Sequence, residues 1–427
     1  MSKVRDRHDI RGELQLLRSV GHPLATMQLV TALAALSALV AAVSAVAEGP
    51  LATECTCREY VLVCVNGNWT SLPPLVPCPD ATIIQLQGNL LQDIPDGLTA
   101  FVTVSAPHNR LTRLPEASKL NPEIKNLVLN DNQISGSANN FRSLSSLSRL
   151  RLERNRLTSL DFLPERCNLR NLDVSGNALT SLAGPLKNCA ELTFLGLESN
   201  LITSIPSDVF SRMSKLKHLY LFKNKIAAIP DGTFAHLSAL IDLTLQMNPN
   251  IQLSSGSFQG LSHLQYLDLS FNELRNLPAG LFTPLPQLRK LVLSKNKLTT
   301  LPANTFSSLN ALKELTMWAN QLTQLPVLQN CCGSLEEYNL LNNNIVAPSE
   351  EAVRSVLKGK IVTKIGGALV HPDTLRWAAE AQDVEKFVGS SCSCGGLRRG
   401  TAKIEFCVDT PCGAGKRYPD WRAVIAA

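Results

Sequence analysis

Twelve cysteines and seven histidines are the residues of this 427-residue chain that could carry redox, metal or acid–base chemistry. Eight of the cysteines fall into two groups, Cys55, Cys57, Cys64 and Cys78, then Cys392, Cys394, Cys407 and Cys412. Four closely spaced cysteines can form two disulfides or hold one zinc ion. For the second group, spaced CxCx12Cx4C, we expect two disulfides in a compact tail, with zinc as the alternative.

Catalytic motifs are missing from the sequence. Neither HExxH nor GxSxG occurs, and no set of nucleophile, base and metal ligands is evident. The segment Gly413-Ala414-Gly415-Lys416 resembles part of a phosphate-binding loop. Thr410 stands where the earlier glycine is needed, however, and Arg417 follows the lysine in place of Ser or Thr. We therefore predict that the protein is not an enzyme, with no catalytic residue, cofactor or metal site.

The composition excludes several further classes of protein. The 41 Lys and Arg residues exceed the 35 Asp and Glu residues by only six, which is too weak a charge to indicate nucleic-acid binding. A hydrophobic content of 44% with 18% charged residues excludes bulk disorder. Because aromatic residues are scarce, aliphatic side chains must supply most of the core.

Residues 1–47 have the pattern of a targeting segment. A stretch with several arginines precedes an uncharged run of nineteen residues, Leu29 to Ala47, which ends in the small-x-small sequence Ala45-Val46-Ala47. This order predicts a cleaved secretory signal and a secreted, extracellular protein. The run is nearly long enough to span a bilayer, so the alternative is a type II single-pass signal anchor with the rest of the chain outside. Either outcome places the remaining residues in an oxidising compartment.

An internal repeat occupies most of the chain. An asparagine recurs with a mean step of about 23 residues, at Asn89, Asn109, Asn132, Asn155, Asn177, Asn200, Asn224, Asn248, Asn272, Asn296, Asn320 and Asn343. A second ladder with a step of 24 residues consists of Phe210, Phe234, Phe258, Phe282 and Phe306. The spacing is irregular at Asn248-Pro249-Asn250-Ile251, where we expect a bulge or loop.

Segments such as LSHLQYLDLSFN and LPQLRKLVLSKN resemble the leucine-rich repeat family, in its 24-residue extracellular subtype, over about residues 50–348. The resemblance implies an α/β solenoid, a horseshoe of about 12 turns with a parallel β-sheet on its concave side. The residues support this fold, because LxLxx alternates as a strand with one buried face does. The leucines of one turn can form a core only by stacking on those of the next. The asparagine amide can satisfy backbone groups in the bend that follows each strand.

The first cysteine group looks like the disulfide-bonded N-terminal cap of secreted family members, over residues 48–80. The resemblance implies a Cys55–Cys64 bond and leaves Cys57 to pair with Cys78, with zinc as the alternative. The usual pattern has one more cysteine upstream, which this chain lacks. Asn68-Trp69-Thr70 is the chain's single sequon for N-glycosylation, so we predict a glycan on Asn68.

The segment 349–427 departs from the family, because the usual Asn-Pro-Trp cap motif is absent after the repeats of residues 81–348. Ser349-Glu350-Glu351 predicts a helix start, with Val353, Val356 and Leu357 on one face. A second helix is predicted from Asp373 to about Phe387. We therefore expect a divergent tail that is α-helical and Cys-rich.

Four further cysteines lie within the repeats. Cys189 and Cys332 each stand three residues before a repeat's first leucine, where neighbouring turns carry Met or Leu, and we expect buried, unreactive thiols there. A bond between Cys167 and Cys189, one turn apart, is an alternative. A redox-active pair at Cys331 and Cys332 is another.

Recognition is the remaining function. The non-leucine strand positions face solvent on the concave sheet, where the early turns are basic (Arg149, Arg151, Arg154 and Arg170, diluted by Glu153 and Asp173). Later turns place a concave patch there, comprising Phe194, Tyr220, Phe222, Met247, Tyr266, Phe271 and Trp318, flanked by Lys217, Lys223, Arg289, Lys290 and Lys295. Exposed aromatic residues with basic neighbours are typical of interface hot spots, although isolated aromatics also occur on faces without partners.

The sequence therefore predicts a non-catalytic extracellular recognition module that binds a protein or glycan ligand on the concave face. The alternatives are a secreted enzyme inhibitor, a self-associating adhesion or structural protein, and a tail that forms a small enzymatic or metal-binding domain. No nucleic-acid partner is predicted, and a membrane enters only through the alternative signal anchor.

Overall fold

The computed structural model of the chain describes residues 54–136, 141, 143–328, 331–345 and 349–356, together with the backbone of four strands between residues 362 and 407. The predicted targeting segment, Cys392, Cys412 and residues 367–384 lie outside these ranges. Within them, no helix combines the length and the apolar character needed to cross a bilayer.

Twelve short strands repeat along the chain, one for each ladder asparagine. They are β3 (Ile83–Gln85), β4 (Thr103–Ser105), β5 (Asn126–Val128), β6 (Arg149–Arg151), β7 (Asn171–Asp173), β8 (Phe194–Gly196), β9 (His218–Tyr220), β10 (Asp242–Thr244), β11 (Tyr266–Asp268), β12 (Lys290–Val292), β13 (Glu314–Thr316) and β14 (Glu337–Leu340). Each pairs in parallel with the strands before and after it, and the leucines stay in register, as Leu219, Leu243 and Leu267 do. The predicted solenoid of about 12 turns is thereby confirmed.

The core is a stack of aliphatic layers that no single turn could bury alone. The central residue of these strands is fully buried and is usually a leucine, as at Leu195, Leu219 and Leu243. In the returning segments Phe210 stacks on Phe234 with ring centroids 5.9 Å apart, and Phe282 stacks on Phe258 and Phe306 at 6.3 and 6.2 Å. The phenylalanine ladder of the sequence thus packs ring on ring inside the returning segments. In the irregular first half, Phe141 and Phe162 make an edge-on contact at 6.0 Å.

The ladder asparagines tie each turn to the one before. Asn200 donates from Nδ2 to the carbonyls of Leu197, in its own turn, and Val174, in the preceding turn, both at 3.0 Å. Its Oδ1 accepts the backbone N–H of Leu179 at 3.0 Å. All twelve asparagines donate to the carbonyl three residues earlier. Buried backbone groups that would otherwise lack partners are thus satisfied, as the residue type predicts.

The residue before each ladder asparagine has a left-handed backbone. Its φ is positive in all twelve turns, from 71° at Gly88 to 52° at Arg154. Each turn therefore bends sharply just after its strand, whatever residue stands there. At the irregular turn, the Ile251 N–H donates to the Asn248 carbonyl at 3.2 Å, and Asn250 also has a positive φ of 69°. The loop predicted there is a tight turn.

The N-terminal end of the sheet is closed by a hairpin. Strand β1 (Thr56–Arg58) runs antiparallel to β2 (Val61–Val63), which pairs in parallel with β3. Disulfides join Cys55 to Cys64 and Cys57 to Cys78, the pairing that the resemblance implies. Four sulfurs bound in disulfides are not zinc ligands, so the zinc alternative does not hold for this group.

The C-terminal end differs from the helical tail predicted from the sequence. Helix α1 (Glu350–Val356) begins where predicted, with the Ser349 hydroxyl accepting the Ala352 N–H at 3.2 Å, and it buries Val353 and Val356. The remaining described elements are strands, namely β15 (Val362–Gly366), β16 (Glu385–Val388), β17 (Cys394–Arg399) and β18 (Ala402–Cys407). The helix predicted to reach Phe387 is therefore wrong at its end, where β16 begins at Glu385.

These strands extend the solenoid sheet. Strand β15 pairs in parallel with β14 and with β18, and β17 pairs antiparallel with β18 and β16. The alternation of apolar and charged residues in Ala402–Cys407 is a strand signal that outweighs the general Gly and Cys content of the tail. In the register of β17 and β18, Cys394 lies opposite Cys407.

The repeat cysteines are bonded, contrary to the expectation of free thiols at Cys189 and Cys332. Cys167 is joined to Cys189, and Cys331 is joined to its neighbour Cys332. Cys189 and Cys332 are buried, as predicted, but as halves of disulfides. The returning segments also hold two 3-10 helices, Ala117–Lys119 and Pro185–Asn188, and the second leads directly into Cys189.

Candidate binding face on the parallel sheet

Each strand presents two side chains on the side of the sheet opposite the leucine core, which we call the sheet face. In β9, for example, His218 and Tyr220 are half-buried while Leu219 between them is fully buried. The two residues before the ladder asparagine continue this face beyond the strand. Because strands lie about 4.8 Å apart, equivalent side chains of consecutive turns are near neighbours.

Two residues of the concave patch pack on each other across adjacent strands. The rings of Phe194 on β8 and Tyr220 on β9 meet edge to face, with centroids 5.4 Å apart. Both side chains are half-buried. Burial, followed by the charges of Asp242, Glu198 and Asp173, raises the pKa of Tyr220 well above its ordinary value. The hydroxyl is therefore a neutral group at physiological pH.

Four other members lie at the ends of the strands, on the turn before the ladder asparagine. Phe222, Met247, Phe271 and Trp318 are all half-buried. Met247 and Phe271 occupy the left-handed position, with φ of 58° and 56°. Lys295 lies between the last two, with its Nζ 4.7 Å from the centroid of the Trp318 ring. This cation–π contact is an instance of the aromatic and basic neighbourhood predicted from the sequence.

Tyr266 does not fit the exposed patch. It lies on β11 at the predicted position of the sheet face, but only 8% of its surface is exposed. Its hydroxyl donates to Oδ2 of Asp268 at 3.2 Å, across one residue of the same strand. Tyr266 is therefore part of the supporting layer rather than an exposed contact. Burial and the Asp268 charge raise the pKa of this phenol as well.

The charged residues of the sheet face are largely paired across neighbouring turns. Lys290 Nζ lies 2.7 Å from Glu314 Oε2, and His218 Nδ1 lies 2.6 Å from Asp242 Oδ2. The flanking residues Lys217, Lys223, Arg289 and Lys295 keep exposed side chains. The basic surround predicted for the patch is thus reduced at Lys290, whose charge is offset by Glu314.

Two of the four arginines in the basic stretch predicted on the early turns are neutralised. Arg154 Nη2 donates to Asp131 Oδ2 at 2.9 Å, and Arg151 Nε donates to Glu153 Oε1 at 2.6 Å. In the sequence, Glu153 only dilutes a positive surface. In the structure it belongs to a group of carboxylates whose common location the sequence did not reveal.

This acidic cluster consists of Glu153, Asp173 and Glu198, on three successive turns of the sheet face. Glu153 is only 6% exposed, and its Oε2 accepts no hydrogen bond from the described part of the chain. Oε2 of Glu198 is likewise buried and has no hydrogen-bond partner among the described residues. Asp173 Oδ1 accepts the Ser175 N–H at 3.1 Å.

Burial and mutual repulsion shift the protonation of the acidic cluster. Burial, then the charge of Asp173, raises the pKa of Glu153 to about 7. Burial, then the charges of Asp173 and Glu153, raises the pKa of Glu198 to about 8. Burial also raises the pKa of Asp173, against the opposing hydrogen bonds from Ser175. Three carboxyl groups therefore share too few cations to be fully ionised near neutral pH.

The fold and this face together define a repeat solenoid built on one parallel sheet, and comparison with known proteins identifies the repeat. Six overlapping segments match the family described as Leucine rich repeat, at residues 167–226, 190–249, 214–274, 242–298, 262–322 and 286–345. Residues 167–345 are therefore leucine-rich repeats.

Similar proteins include Nephrocan of Mus musculus, which is 31% identical over 145 residues. That match covers 33% of this chain and 28% of the relative, so most of Nephrocan has no counterpart in it. A chain of the octameric complex of Latrophilin 3, Unc5D and FLRT2 (LRR) is 25% identical, with a TM-score of 0.56 over 66% of this chain and 85% of that one. A leucine-rich-repeat protein of Leptospira interrogans shares the fold, with 22% identity and a TM-score of 0.51 over 73% and 91% of the two chains.

Proposed function

We propose that the protein is a non-catalytic extracellular recognition module that binds a protein ligand on the sheet face, the concave side expected of its family. The observation that carries this proposal is the array of half-buried apolar side chains on consecutive turns, from Phe194 and Tyr220 to Trp318. The sheet already holds these aromatic side chains in place, so they lose little conformational entropy when a ligand binds.

The mixed character of this surface favours a protein ligand over a purely apolar one. At one end of the patch, the Lys295 ammonium group lies over the Trp318 ring and adds a positive charge to the surface. At the other end, the Phe194 and Tyr220 rings present apolar surface. The similarity to a chain from a complex of several proteins agrees with a protein partner. A glycan ligand is the alternative for the same face, and a secreted enzyme inhibitor or a self-associating adhesion protein would also use it.

An extracellular location is supported by the disulfides Cys55–Cys64, Cys57–Cys78 and Cys167–Cys189, since such bonds persist in oxidising compartments. We propose that residues 1–47 direct secretion and are cleaved before Glu48, with a retained signal anchor as the alternative. The non-reduced intact mass of the product from a eukaryotic secretory host distinguishes the two. A mature chain in the medium indicates secretion, and a full-length chain confined to membranes indicates an anchor. Added mass at the exposed Asn68 would report the predicted glycan.

The binding test uses a multimerised secreted form of the protein to screen a panel of extracellular proteins displayed on cells. Any interaction found is then measured with a variant in which Tyr220, Phe222 and Trp318 are all replaced by alanine, and we expect a loss of at least about 100-fold in affinity. The matched control replaces three exposed apolar residues away from the patch, Tyr60, Leu75 and Leu201, by alanine. Binding that survives the first triple substitution, with folding intact, contradicts the proposed face.

A further inference from the structure

The acidic cluster is an unbalanced charge built into the proposed binding face. Glu153, Asp173 and Glu198 bring three carboxyl groups together, and the cation hydrogen-bonded to the cluster is Arg151, which is bound to Glu153. Arg154, the next cation, is committed to Asp131 on the preceding turn. Glu153, which is nine-tenths buried, still has one carboxylate oxygen without a hydrogen-bond partner among the described residues. Oε2 of Glu198 is in the same state, and a cationic donor from outside would recover the free energy that an unpaired buried acceptor costs.

A glycine of the sheet places one carboxylate of the cluster beside two aromatic rings. Gly196 on β8 has no side chain at the position that Tyr220 occupies on the next strand. A Cβ added there would lie 2.7 Å from Oδ1 of Asp173, so the Asp173 carboxylate occupies the space over the glycine. Phe194 lies on the same strand as Gly196, and its ring contacts that of Tyr220. Asp173 and Glu198 are the members that keep part of their side chains exposed.

We propose that the acidic cluster and the Phe194–Tyr220 pair receive an arginine side chain of the protein ligand. The guanidinium would donate to Asp173 and Glu198 and stack against the aromatic pair, while Glu153 adds negative charge from beneath. This inference rests on the proposed function and names the chemistry of the ligand that the face selects.

Arginine fits this site better than a compact cation. Its planar guanidinium carries five donors, can bridge two carboxylates, and stacks favourably on aromatic rings. The described residues contain no group of three or more His, Cys, Asp or Glu side chains placed closely enough to hold a metal ion. Carboxylates that interact electrostatically without forming such a group suit a planar donor that can bridge two of them.

The direct test measures binding of N-acetyl-arginine amide to the secreted full chain by calorimetry, with N-acetyl-citrulline amide as the uncharged isostere. We expect saturable binding of the arginine derivative with a dissociation constant of about 1–10 mM, and no measurable binding of the citrulline derivative. At pH 8.5, above the raised pKa of about 8 of Glu198, Glu198→Gln and Asp173→Asn should each weaken binding at least about tenfold. Glu191→Gln, an exposed carboxylate that pairs with Lys215, is the matched control and should change nothing.

Equal binding of the two derivatives, or unchanged binding in both variants, overturns the arginine proposal. If Asp173→Asn is not secreted, the result with Glu198→Gln decides for or against the arginine site. This substitution preserves the shape of the side chain, and Oε2 of Glu198 has no hydrogen bond to lose among the described residues. The result can be separated from failure of the proposed function. One decisive result is a protein ligand that fails to bind the variant with Tyr220, Phe222 and Trp318 replaced, yet binds Glu198→Gln with unchanged affinity. That result supports the proposed binding face and contradicts the arginine site.

Discussion

Phe194 and Tyr220 stand on adjacent strands of the parallel sheet with their rings nearly perpendicular and 5.4 Å apart. The two strands are held in register, with Phe194 paired to His218 and Gly196 paired to Tyr220. Because the backbones are fixed in this way, a change of rotamer in either ring would break the ring contact. The pair therefore separates two chemically distinct parts of the sheet face. The acidic cluster lies on the turn of Phe194 and the two turns before it. The apolar residues Phe222, Met247, Phe271 and Trp318 lie on the turn of Tyr220 and on later turns.

The acidic cluster predicts a pH-dependent stability. Folded Glu198 keeps its proton up to about pH 8, whereas an unfolded chain releases it near the ordinary pKa of 4.5. Between these values the unfolded state binds fewer protons, so the free energy of unfolding falls as the pH rises through this window. Glu153, with a pKa raised to about 7, contributes in the same direction.

Glu198→Gln removes this ionisation without changing the shape of the side chain. At pH 5 the variant should match the wild type, and at pH 8 it should be more stable by about 1–3 kcal/mol, or about 2–4 °C in Tm for each kcal/mol. Thermal unfolding at both pH values measures the difference. The charges that raise the pKa of Glu198 are those of Asp173 and Glu153, and Tyr220 is the neighbouring phenol that feels the Glu198 charge. A variant no more stable than the wild type at pH 8 would show that Glu198 ionises without cost.

The ladder asparagines predict a large loss of stability on truncation. Asn224 donates to the carbonyls of Leu197 and Leu221 and accepts the Ile202 N–H, and its side chain is buried. Asn224→Ala would leave three backbone groups without partners, which should lower the free energy of unfolding by about 3–5 kcal/mol. Chemical denaturation measures this loss. Asn310→Ala, at an exposed position, is the control and should change stability by less than about 0.5 kcal/mol.

The fold was predictable from the sequence because its repeats are local, whereas the acidic cluster was not. Each ladder asparagine acts within one turn and its neighbour, so its spacing alone indicates the solenoid. Glu153 and Glu198 each stand two residues before a ladder asparagine, but Asp173 stands four residues before Asn177, so no single repeat position marks the cluster. Their meeting depends on the register of β6, β7 and β8 and on Gly196. Tyr266 follows the same logic, because its burial depends on Asp268 and neighbouring strands rather than on its own position.

The Cys167–Cys189 disulfide predicts a measurable link between consecutive turns. Non-reducing peptide mapping of the secreted protein should recover these two cysteines in one cross-linked fragment, and neither should react with an alkylating agent before reduction. Because the bond closes a short loop of 22 residues, replacing both cysteines by alanine should cost about 2–4 kcal/mol of stability. Recovery of Cys189 alkylated after unfolding in denaturant without reductant would restore the expectation of a buried thiol.

Gly196→Ala tests the geometry of the acidic cluster while leaving every charge in place. The new Cβ would lie 2.7 Å from Oδ1 and 3.0 Å from Cγ of Asp173, closer than ordinary contact, so the carboxylate must move and weaken its hydrogen bond from Ser175. The movable partner is the end of a side chain rather than backbone, and alanine suits a strand better than glycine does. Stability should therefore change by less than about 1 kcal/mol.

Binding of N-acetyl-arginine amide to Gly196→Ala should nevertheless weaken at least about fivefold, because the acceptor of the guanidinium is displaced. Gly333→Ala, where an added Cβ meets nothing within 4 Å, is the control for both measurements. If Gly196→Ala binds the arginine derivative as the wild type does, the carboxylate over this glycine is not the acceptor, whatever the charge variants show.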